Sequence, residues 1–437
     1  MLGRSNGGSF VPIQGDYFVK ASWPARMPWL LFGLASVAAL AVVFVGFRAQ
    51  GLVDNRPDPY WFSAMGTSLA RGEGLSAYGS LLHRRAPLYP FMIGGIYTVF
   101  GEHPLLVQLV QIVLFAGTSV IAFELGRRIY NVRTGIIAGA LCAVHPALLR
   151  YVADFHLETL FTFLLTLSVL FGYRFYERPS VGRAAAFGVL SALTALTKSV
   201  AVLFPPLFLL LWWISLKRTR STLPVRSLIL PVAVLFGTMA LTISPWTIRN
   251  YAVTGHFVPI STGFSDAFLR GYVFSKTEFA TLSKPPYTDG ENESNAMFQQ
   301  LCAAEGAVWE QDDYQTDQIL NRAAKARLLA DPGAFVRKTV VGLFTFWYEM
   351  TSLKNSLAAG AMALIAWLFA AVGLWRSKTE RQPAWILLVP ILYFNLILAP
   401  LLALGRYSVP IVPCLIVLAA FGVDTLWDKY LGRAAAR

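Results

Sequence analysis

Residues 54–90 gather acidic and basic side chains within an otherwise apolar chain. Asp54 and Asp58 are four residues apart, so a helix would present both carboxylates on one face. Arg84 and Arg85 follow as a pair of cations. A carboxylate takes a proton from an attacking hydroxyl, and cations stabilise the negative charge that builds on a departing phosphate. The stretch therefore indicates transfer of a group from a phosphate to a hydroxyl.

Further ionisable residues lie beside the ends of later apolar segments: Asp154, His156, Glu158, Lys198, Arg249 and Arg406. When the segments cross a membrane alternately, all of these residues fall on the same side as Asp58. Ionisable groups at membrane depth are costly and are kept for function or as mutual partners. Asp154, His156 and Glu158 also have the residue types of metal ligands, so a divalent cation is possible here. No other cofactor is indicated.

The same residues also have purely structural interpretations. Asp58, beside prolines, could serve only to cap a helix. Arg84 and Arg85 could anchor a helix at lipid headgroups. His145 precedes Pro146 in an apolar run, where we expect a packed interior side chain.

Composition sets the class of protein. Of 437 residues, 56% are hydrophobic and 14% are charged. Uncharged apolar runs of about 20 residues, the length of a bilayer-crossing helix, recur along the chain and predict an all-α polytopic membrane protein. The formal net charge of +13 lies mostly in short loops between these runs. That distribution is typical of cytoplasmic loops and argues against nucleic acid as a partner.

The basic loops alternate along the chain and predict about ten transmembrane helices with both termini cytoplasmic. The expected spans are 27–47, 104–126, 134–150, 157–173, 184–197, 199–216, 227–247, 355–375, 383–401 and 408–427. The expected organisation is a cytoplasmic N-terminal segment (1–26), a transmembrane catalytic module (27–247) with the first external loop (48–103), an external loop region (248–354), and C-terminal transmembrane helices with a cytoplasmic tail (355–437).

The external segments carry local signals of their own. Pro57 and Pro59 predict that the helix after Asp58 begins only at Tyr60, and Gly72 and Gly74 should end it. Residues 87–101 are apolar but too short to span, so we expect a re-entrant or interfacial segment.

Two further helices are expected in the external loop region. Residues 316–330 have helical periodicity with a polar face. Residues 335–351 are interpreted as an external amphipathic helix, because a span there would place the basic loop after residue 375 outside.

Several motifs occur in a fixed order along the chain: Asp58-Pro59-Tyr60, Gly72-x-Gly74, Arg85-Ala86-Pro87-Leu88-Tyr89-Pro90, Glu158-Thr159-Leu160-Phe161, Leu193-Thr194-Ala195-Leu196-Thr197-Lys198, Ser244-Pro245-Trp246-Thr247-Ile248-Arg249-Asn250-Tyr251 and Arg406-Tyr407-Ser408-Val409-Pro410. Together they resemble the GT-C superfamily of glycosyltransferases. Within it, they resemble the bacterial branch related to dolichyl-phosphate-mannose protein mannosyltransferases and aminoarabinose transferases. That family often has Asp-Glu about four residues before the tyrosine, where this chain has Arg56-Pro57. The catalytic acid would therefore be Asp58 or Asp54.

The resemblance implies a GT-C-like helix bundle in the bacterial inner membrane, with interfacial helices and a small periplasmic loop subdomain. It implies transfer of a sugar, with inversion, from a polyprenyl-phosphate carrier to a hydroxyl of a lipid, glycan or protein at the periplasmic face. The candidate substrate-binding residues are Arg84, Arg85, Tyr89, Glu158, Lys198, Arg249 and Arg406. We expect Lys198, Arg249, Arg406 and one of Arg84 or Arg85 to hold the carrier phosphate, because each lies beside an outer span end. The alternative is a transporter or lipid flippase, which should instead place ionisable residues near mid-membrane.

Overall fold

The computed structural model of the protein describes residues 25–50, 57–77, 80–81, 84–218, 226–276, 287–309, 312–350 and 352–430. The helices are α1 (Met27–Gln50), α2 (Pro57–Ala70), α3 (Leu88–Phe100), α4 (Pro104–Ile129), α5 (Val132–Val144), α6 (Pro146–Ala153), α7 (Glu158–Glu177), α8 (Val181–Thr197), α9 (Phe204–Arg218), α10 (Arg226–Thr254), α11 (Phe264–Lys276), α12 (Tyr287–Ala304), α13 (Asp313–Ala330), α14 (Pro332–Tyr348), α15 (Leu353–Thr379), α16 (Trp385–Leu398) and α17 (Val412–Tyr430). Short 3₁₀ segments, Ser199–Leu203 and Gly405–Ile411, precede α9 and α17. Two-residue strands, β1 (Ser76–Ala77) and β2 (Ser80–Leu81), pair antiparallel.

The expected class, an all-helical membrane protein, is confirmed. Within the described residues, seven helical segments are long and apolar enough to cross a membrane, or eight if the bent pair α5–α6 counts as one span. The expected number of ten is not confirmed. Two of the expected spans are the apolar helices α8 and α16, which have only 17 and 14 residues.

Two expected spans differ from their predicted form. The segment expected to run straight over 134–150 is α5 and α6, which meet at a bend of 46°. The bend follows from Pro146, because proline lacks an N–H and its ring clashes with the preceding turn. Helix α10 continues seven residues beyond the predicted end at Thr247 and so includes Arg249.

The helix that carries Asp58 begins three residues earlier than expected, at Pro57. Prolines at the first turn are compatible with an α-helix because the N–H groups there have no intrahelical acceptor. The predicted end of this helix is confirmed: Gly72 and Gly74 follow it with φ of 76° and 78°, a conformation that favours glycine.

Helix α2 packs against α3, and α3 in turn contacts α4 and α8. A Cβ at Gly94 would lie 2.7 Å from Leu69 Cβ, so the two helices approach closely only because α3 has a glycine there. The buried side chains of Phe62 and Met65 from α2 and of Tyr89 from α3 belong to one apolar cluster. This packing fixes α2, and with it the position of Asp58.

The described part of 248–354, the segment expected to be an external loop region, contains four helices beyond the end of α10, namely α11 to α14. The periodicity over 316–330 correctly predicts α13, and α14 occupies the segment interpreted as an amphipathic helix. Lys338 of α14 is buried and donates hydrogen bonds to the carbonyls of Pro400 and, at 2.6 Å, Leu401. Burial lowers the pKa of Lys338 to about 7. This contact ties α14 to the segment that leads into Arg406.

Candidate functional site

The carboxylate of Asp58 lies between two guanidinium groups that come from distant parts of the chain. Its Oδ1 accepts a hydrogen bond from Arg85 Nη1 at 2.8 Å, and its Oδ2 accepts one from Arg406 Nη1 at 2.8 Å. Asp58 is the second residue of α2, Arg85 precedes α3, and Arg406 lies in the 3₁₀ segment before α17. Arg85 also stacks on Phe62 of α2, with its Cζ 5.1 Å from the ring centroid.

The ring of Tyr407 brings a third cation to the same place. Lys198 Nζ lies 3.9 Å and Arg406 Cζ lies 4.9 Å from the ring centroid, and Arg406 Nη2 donates to the Tyr407 hydroxyl at 3.1 Å. Lys198 lies at the junction between α8 and the 3₁₀ segment Ser199–Leu203. No carboxylate of the described residues lies within 4 Å of its ammonium. Lys198 is therefore available to an anionic ligand.

The start of α7 contributes two buried polar groups. Glu158 is 3% exposed and His156 is 5% exposed. Within the described part of the chain, Glu158 Oε2 and His156 Nδ1 have no hydrogen-bond partner. Buried polar atoms are rarely left unpaired, so both atoms are available to hydroxyl or amide groups of a ligand.

Two glutamines at the start of α4 hold the segment that leads to these residues. Gln108 Nε2 donates to the Ala153 carbonyl at 2.7 Å, and Gln111 Nε2 donates to the carbonyls of Val152 at 2.8 Å and of Asp154 at 3.0 Å. This role of Gln108 and Gln111 was not predicted from the sequence. The signal was present as two uncharged polar residues three positions apart, hence on one face, in the first turns of an apolar helix.

Tyr89 is fully buried and belongs to this supporting network. Its hydroxyl donates to Gln111 Oε1 at 2.8 Å. The described contacts therefore place Tyr89 behind the site, as support for the glutamine, whereas the motif resemblance implied that it binds substrate.

The electrostatics of the cluster follow from its three cations. Burial raises the pKa of the Asp58 carboxyl, but the charges of Arg85 and Arg406 outweigh burial and hold the pKa well below its usual range. Burial lowers the pKa of Lys198 to about 8, and the carboxylate of Glu158 opposes this shift. Burial also lowers the pKa of His156. At neutral pH the site therefore holds an ionised Asp58 and a mostly charged Lys198.

The structure does not bring every candidate into this cluster. Arg84 forms an ion pair with Asp266 of α11, and its backbone N–H donates to Asp313 of α13 at 3.1 Å. Arg249 stacks on Trp246, with its Cζ 4.7 Å from the ring centroid, within α10. Asp54 lies outside the described residues.

Asp154, His156 and Glu158 do not form a metal centre of protein ligands. His156 Nδ1 is 3.9 Å from Asp154 Oδ2. The part of the chain that the structure describes contains no group of three His, Cys, Asp or Glu side chains that could hold a metal ion.

Part of this cluster falls within a known family pattern. Residues 84–248 match the family described as dolichyl-phosphate-mannose-protein mannosyltransferase. That match includes Arg85, Glu158 and Lys198, whereas Asp58 and Arg406 lie outside it. A search of curated proteins finds no match to the chain.

Solved structures show the same architecture. The archaeal oligosaccharyltransferase AglB from Archaeoglobus fulgidus, in complex with an inhibitory peptide and a dolichol-phosphate, is 14% identical, with a TM-score of 0.58 over 94% of this chain and 52% of that one. The apo form of the Archaeoglobus fulgidus enzyme gives a TM-score of 0.59 at 14% identity, over 95% and 52%. This chain has a GT-C fold.

The predicted GT-C resemblance is thereby confirmed. The chain spans about half the length of the oligosaccharyltransferase that it matches. ArnT from Cupriavidus metallidurans bound to undecaprenyl phosphate is 15% identical, with a TM-score of 0.41 over 93% of this chain and 80% of that one.

Proposed function

We propose that this protein is a glycosyltransferase that moves a sugar from a polyprenyl-phosphate carrier to an acceptor hydroxyl. The single observation that carries the proposal is the grouping of Arg85, Arg406 and Lys198 around the carboxylate of Asp58. Two guanidinium groups and an ammonium converge beside one acid, so the site offers charged N–H donors to a phosphate, and the acid is adjacent to accept a proton. The mannosyltransferase-family match and the GT-C fold support the same class of reaction.

The carrier phosphate is expected to contact Arg406, Arg85 and Lys198. Guanidinium groups match phosphate oxygens in a planar, bidentate geometry, whereas an ammonium acts as a point charge. Arg406 still has a buried Nε without a hydrogen-bond partner among the described residues, so it can donate to a phosphate oxygen. The polyprenyl chain would then extend from this helix end into the surrounding lipid.

The proposed reaction is a direct displacement. The acceptor hydroxyl oxygen forms a bond to the anomeric carbon of the sugar while the bond from that carbon to the phosphate oxygen breaks. The hydroxyl proton goes to Asp58. The carrier leaves as a phosphate monoester, which has gained one negative charge, and the three cations stabilise that charge. Attack opposite the leaving group inverts the anomeric carbon, as in other enzymes in which one carboxylate acts as base across the ring.

Glu158 and His156 are expected to bind the sugar or the acceptor. Both present buried polar atoms without partners in the described chain, beside Asp58. Sugar hydroxyls can donate to the glutamate oxygen and exchange hydrogen bonds with the imidazole. The acceptor is a lipid, glycan or protein, and the external helices α11 to α14 are the elements that could distinguish these classes.

We further propose that the site faces the periplasm of the bacterial inner membrane, with residues 48–103 and 248–354 outside and both termini cytoplasmic. The distribution of basic loops supports this orientation. Glu73 and Thr379 are both exposed, so cysteines introduced there test it with a membrane-impermeant thiol reagent. The cysteine at position 73 should react in intact cells and that at position 379 only after permeabilisation. The reverse pattern would contradict the orientation.

The activity is tested with purified protein and a sugar-loaded polyprenyl phosphate. The expected result is release of free polyprenyl phosphate together with a glycosylated acceptor from a crude envelope extract. Movement of the intact carrier across a vesicle membrane, without cleavage of the sugar–phosphate bond, would replace the proposal with the flippase alternative.

A further inference from the structure

In its described state, Asp58 is a poor general base. Each of its two carboxylate oxygens accepts a charged hydrogen bond of 2.8 Å, one from Arg85 and one from Arg406. Hydrogen bonds from a guanidinium favour the ionised form of a carboxylate, so its affinity for a proton is low. A general base works best when its pKa lies near the operating pH. The geometry and the proposed role of Asp58 therefore conflict unless something changes its environment.

The two arginines that hold Asp58 are the same groups that a donor phosphate would bind. A phosphate presents more acceptor oxygens than a carboxylate, and each guanidinium has five N–H donors. Only one N–H of Arg85 donates to Asp58 in the described contacts. Arg406 uses two, one for Asp58 and one for Tyr407. A phosphate at these arginines would thus compete with Asp58 for their donors and would place a second negative charge beside it.

We propose that the donor itself activates the base: the carrier phosphate draws Arg85 and Arg406 away from Asp58, and this raises the proton affinity of the carboxylate. The inference rests on the proposed function and adds its regulation. Without donor, Asp58 forms two ion pairs, and its proton affinity is too low to deprotonate a hydroxyl. With donor bound, the nearby anion and the loss of charged hydrogen bonds both favour the protonated form. The acceptor is therefore activated only when a donor is present.

Other charges act on Asp58 and must be considered with the two arginines. The imidazole of His156 and the ammonium of Lys198 are both within its electrostatic reach. Lys198 has no carboxylate partner within 4 Å in the described chain, so it can turn to the phosphate without breaking an ion pair. Burial lowers the pKa of His156. The ammonium of Lys198 favours the ionised form of Asp58, but a phosphate that pairs with this ammonium offsets its charge.

Equilibrium binding of undecaprenyl phosphate tests the competition directly. Asp58→Asn removes the competing charge, so we expect this variant to bind the lipid phosphate more tightly than the wild type, by roughly tenfold, the lower end of a charged hydrogen bond. Glu102→Gln is the matched control. It removes an exposed carboxylate that pairs with Arg71 at 3.0 Å, and binding should stay at the wild-type level.

The outcomes separate the two proposals. If Asp58→Asn binds more weakly than wild type while remaining folded, Asp58 organises the arginines for phosphate. Activation of Asp58 by the donor would then be wrong, although the proposed function would stand. If the wild type binds no undecaprenyl phosphate, the proposed function fails first. Size-exclusion and thermal melting of the variant show whether it has folded.

A second measurement needs no variant. The pH dependence of kcat reports groups in the donor-bound enzyme, and that of kcat/KM for the donor reports the free enzyme. We expect an acid limb from Asp58 in kcat that lies at higher pH than any such limb in kcat/KM. An identical acid limb in both profiles would contradict the activation of Asp58 by the donor.

Discussion

The two ends of the helix bundle both carry buried ionisable groups, but the hydrogen-bond partners of these groups differ. At the end opposite Asp58, Asp424 of α17 accepts hydrogen bonds from Asn131 Nδ2 at 2.9 Å and Thr134 Oγ1 at 3.1 Å, and it pairs with Arg133 Nε at 3.0 Å. At the Asp58 end, Glu158 Oε2, His156 Nδ1 and Arg406 Nε are buried without hydrogen-bond partners among the described residues.

This difference distinguishes charged residues that join helices from charged residues that can bind a ligand. Asp424 joins α17 to the start of α5, and its cation Arg133 also pairs with Asp428 at 2.7 Å. The Asp58 cluster combines charges from four separate parts of the chain and keeps donors and acceptors unused. Buried polar groups without partners lower stability. Glu158 Oε2, His156 Nδ1 and Arg406 Nε are such groups beside the Asp58 carboxylate, and this indicates a site that receives a ligand.

The largest expected effect is the loss of turnover when Asp58 is substituted. Asp58→Asn removes the proton acceptor but keeps nearly the same shape. We expect the rate of sugar transfer to fall about 100- to 10,000-fold, the usual contribution of a general base. Single-turnover transfer with saturating donor measures this. Near-normal transfer by this variant would mean that Glu158 or Asp54 is the general base. The Asp54→Asn variant, made in parallel, distinguishes these two residues.

The next effect is on carrier binding. Arg406→Gln should weaken binding of the carrier phosphate by about 1.5–3 kcal/mol, the range for a hydrogen bond to a charged group. Arg84→Gln is the matched control, because Arg84 pairs with Asp266 of α11. Its carrier affinity should change by less than about 0.5 kcal/mol. Equal losses in the two variants would show that long-range charge, and not contact, holds the phosphate.

The smallest expected effect concerns stability and sharpens the contrast between the ends. Asp424→Asn breaks the buried ion pair with Arg133 and should lower the free energy of unfolding by about 1–3 kcal/mol, with little change in the transfer rate at a temperature where it remains folded. Glu158→Gln should show the opposite pattern, since Oε2 has no described partner to lose. Thermal melting beside transfer assays checks both. A stability loss at Glu158 larger than that at Asp424 would contradict the distinction.

Sequence patterns predicted the parts of this fold that depend on local chemistry. Apolar run length located the helices, and Gly72 and Gly74 marked the end of α2 because their backbone conformation favours glycine. The start of α2 was mispredicted because the prolines were treated as helix breakers, although a first turn accepts them. The bend at Pro146 was missed because composition alone does not distinguish a straight span from a broken one.

The site was predicted only as a set of candidates. Residue type and sidedness brought Asp58, Arg85, Lys198 and Arg406 into one group, and the structure places them together. The sequence did not separate Arg85 from its neighbour Arg84, since adjacent residues share every local signal. Which of the two reaches Asp58 depends on tertiary packing.

The central claim is that the cations around Asp58 bind the carrier phosphate. A cryo-electron microscopy structure of the purified protein with undecaprenyl phosphate tests it most directly. We predict density for the phosphate in contact with Arg406, Arg85 and Lys198, with Asp58 no longer bound by both guanidinium groups. Phosphate density at the opposite end, beside Arg133, or a phosphate remote from an unchanged Asp58 ion pair, would contradict the account.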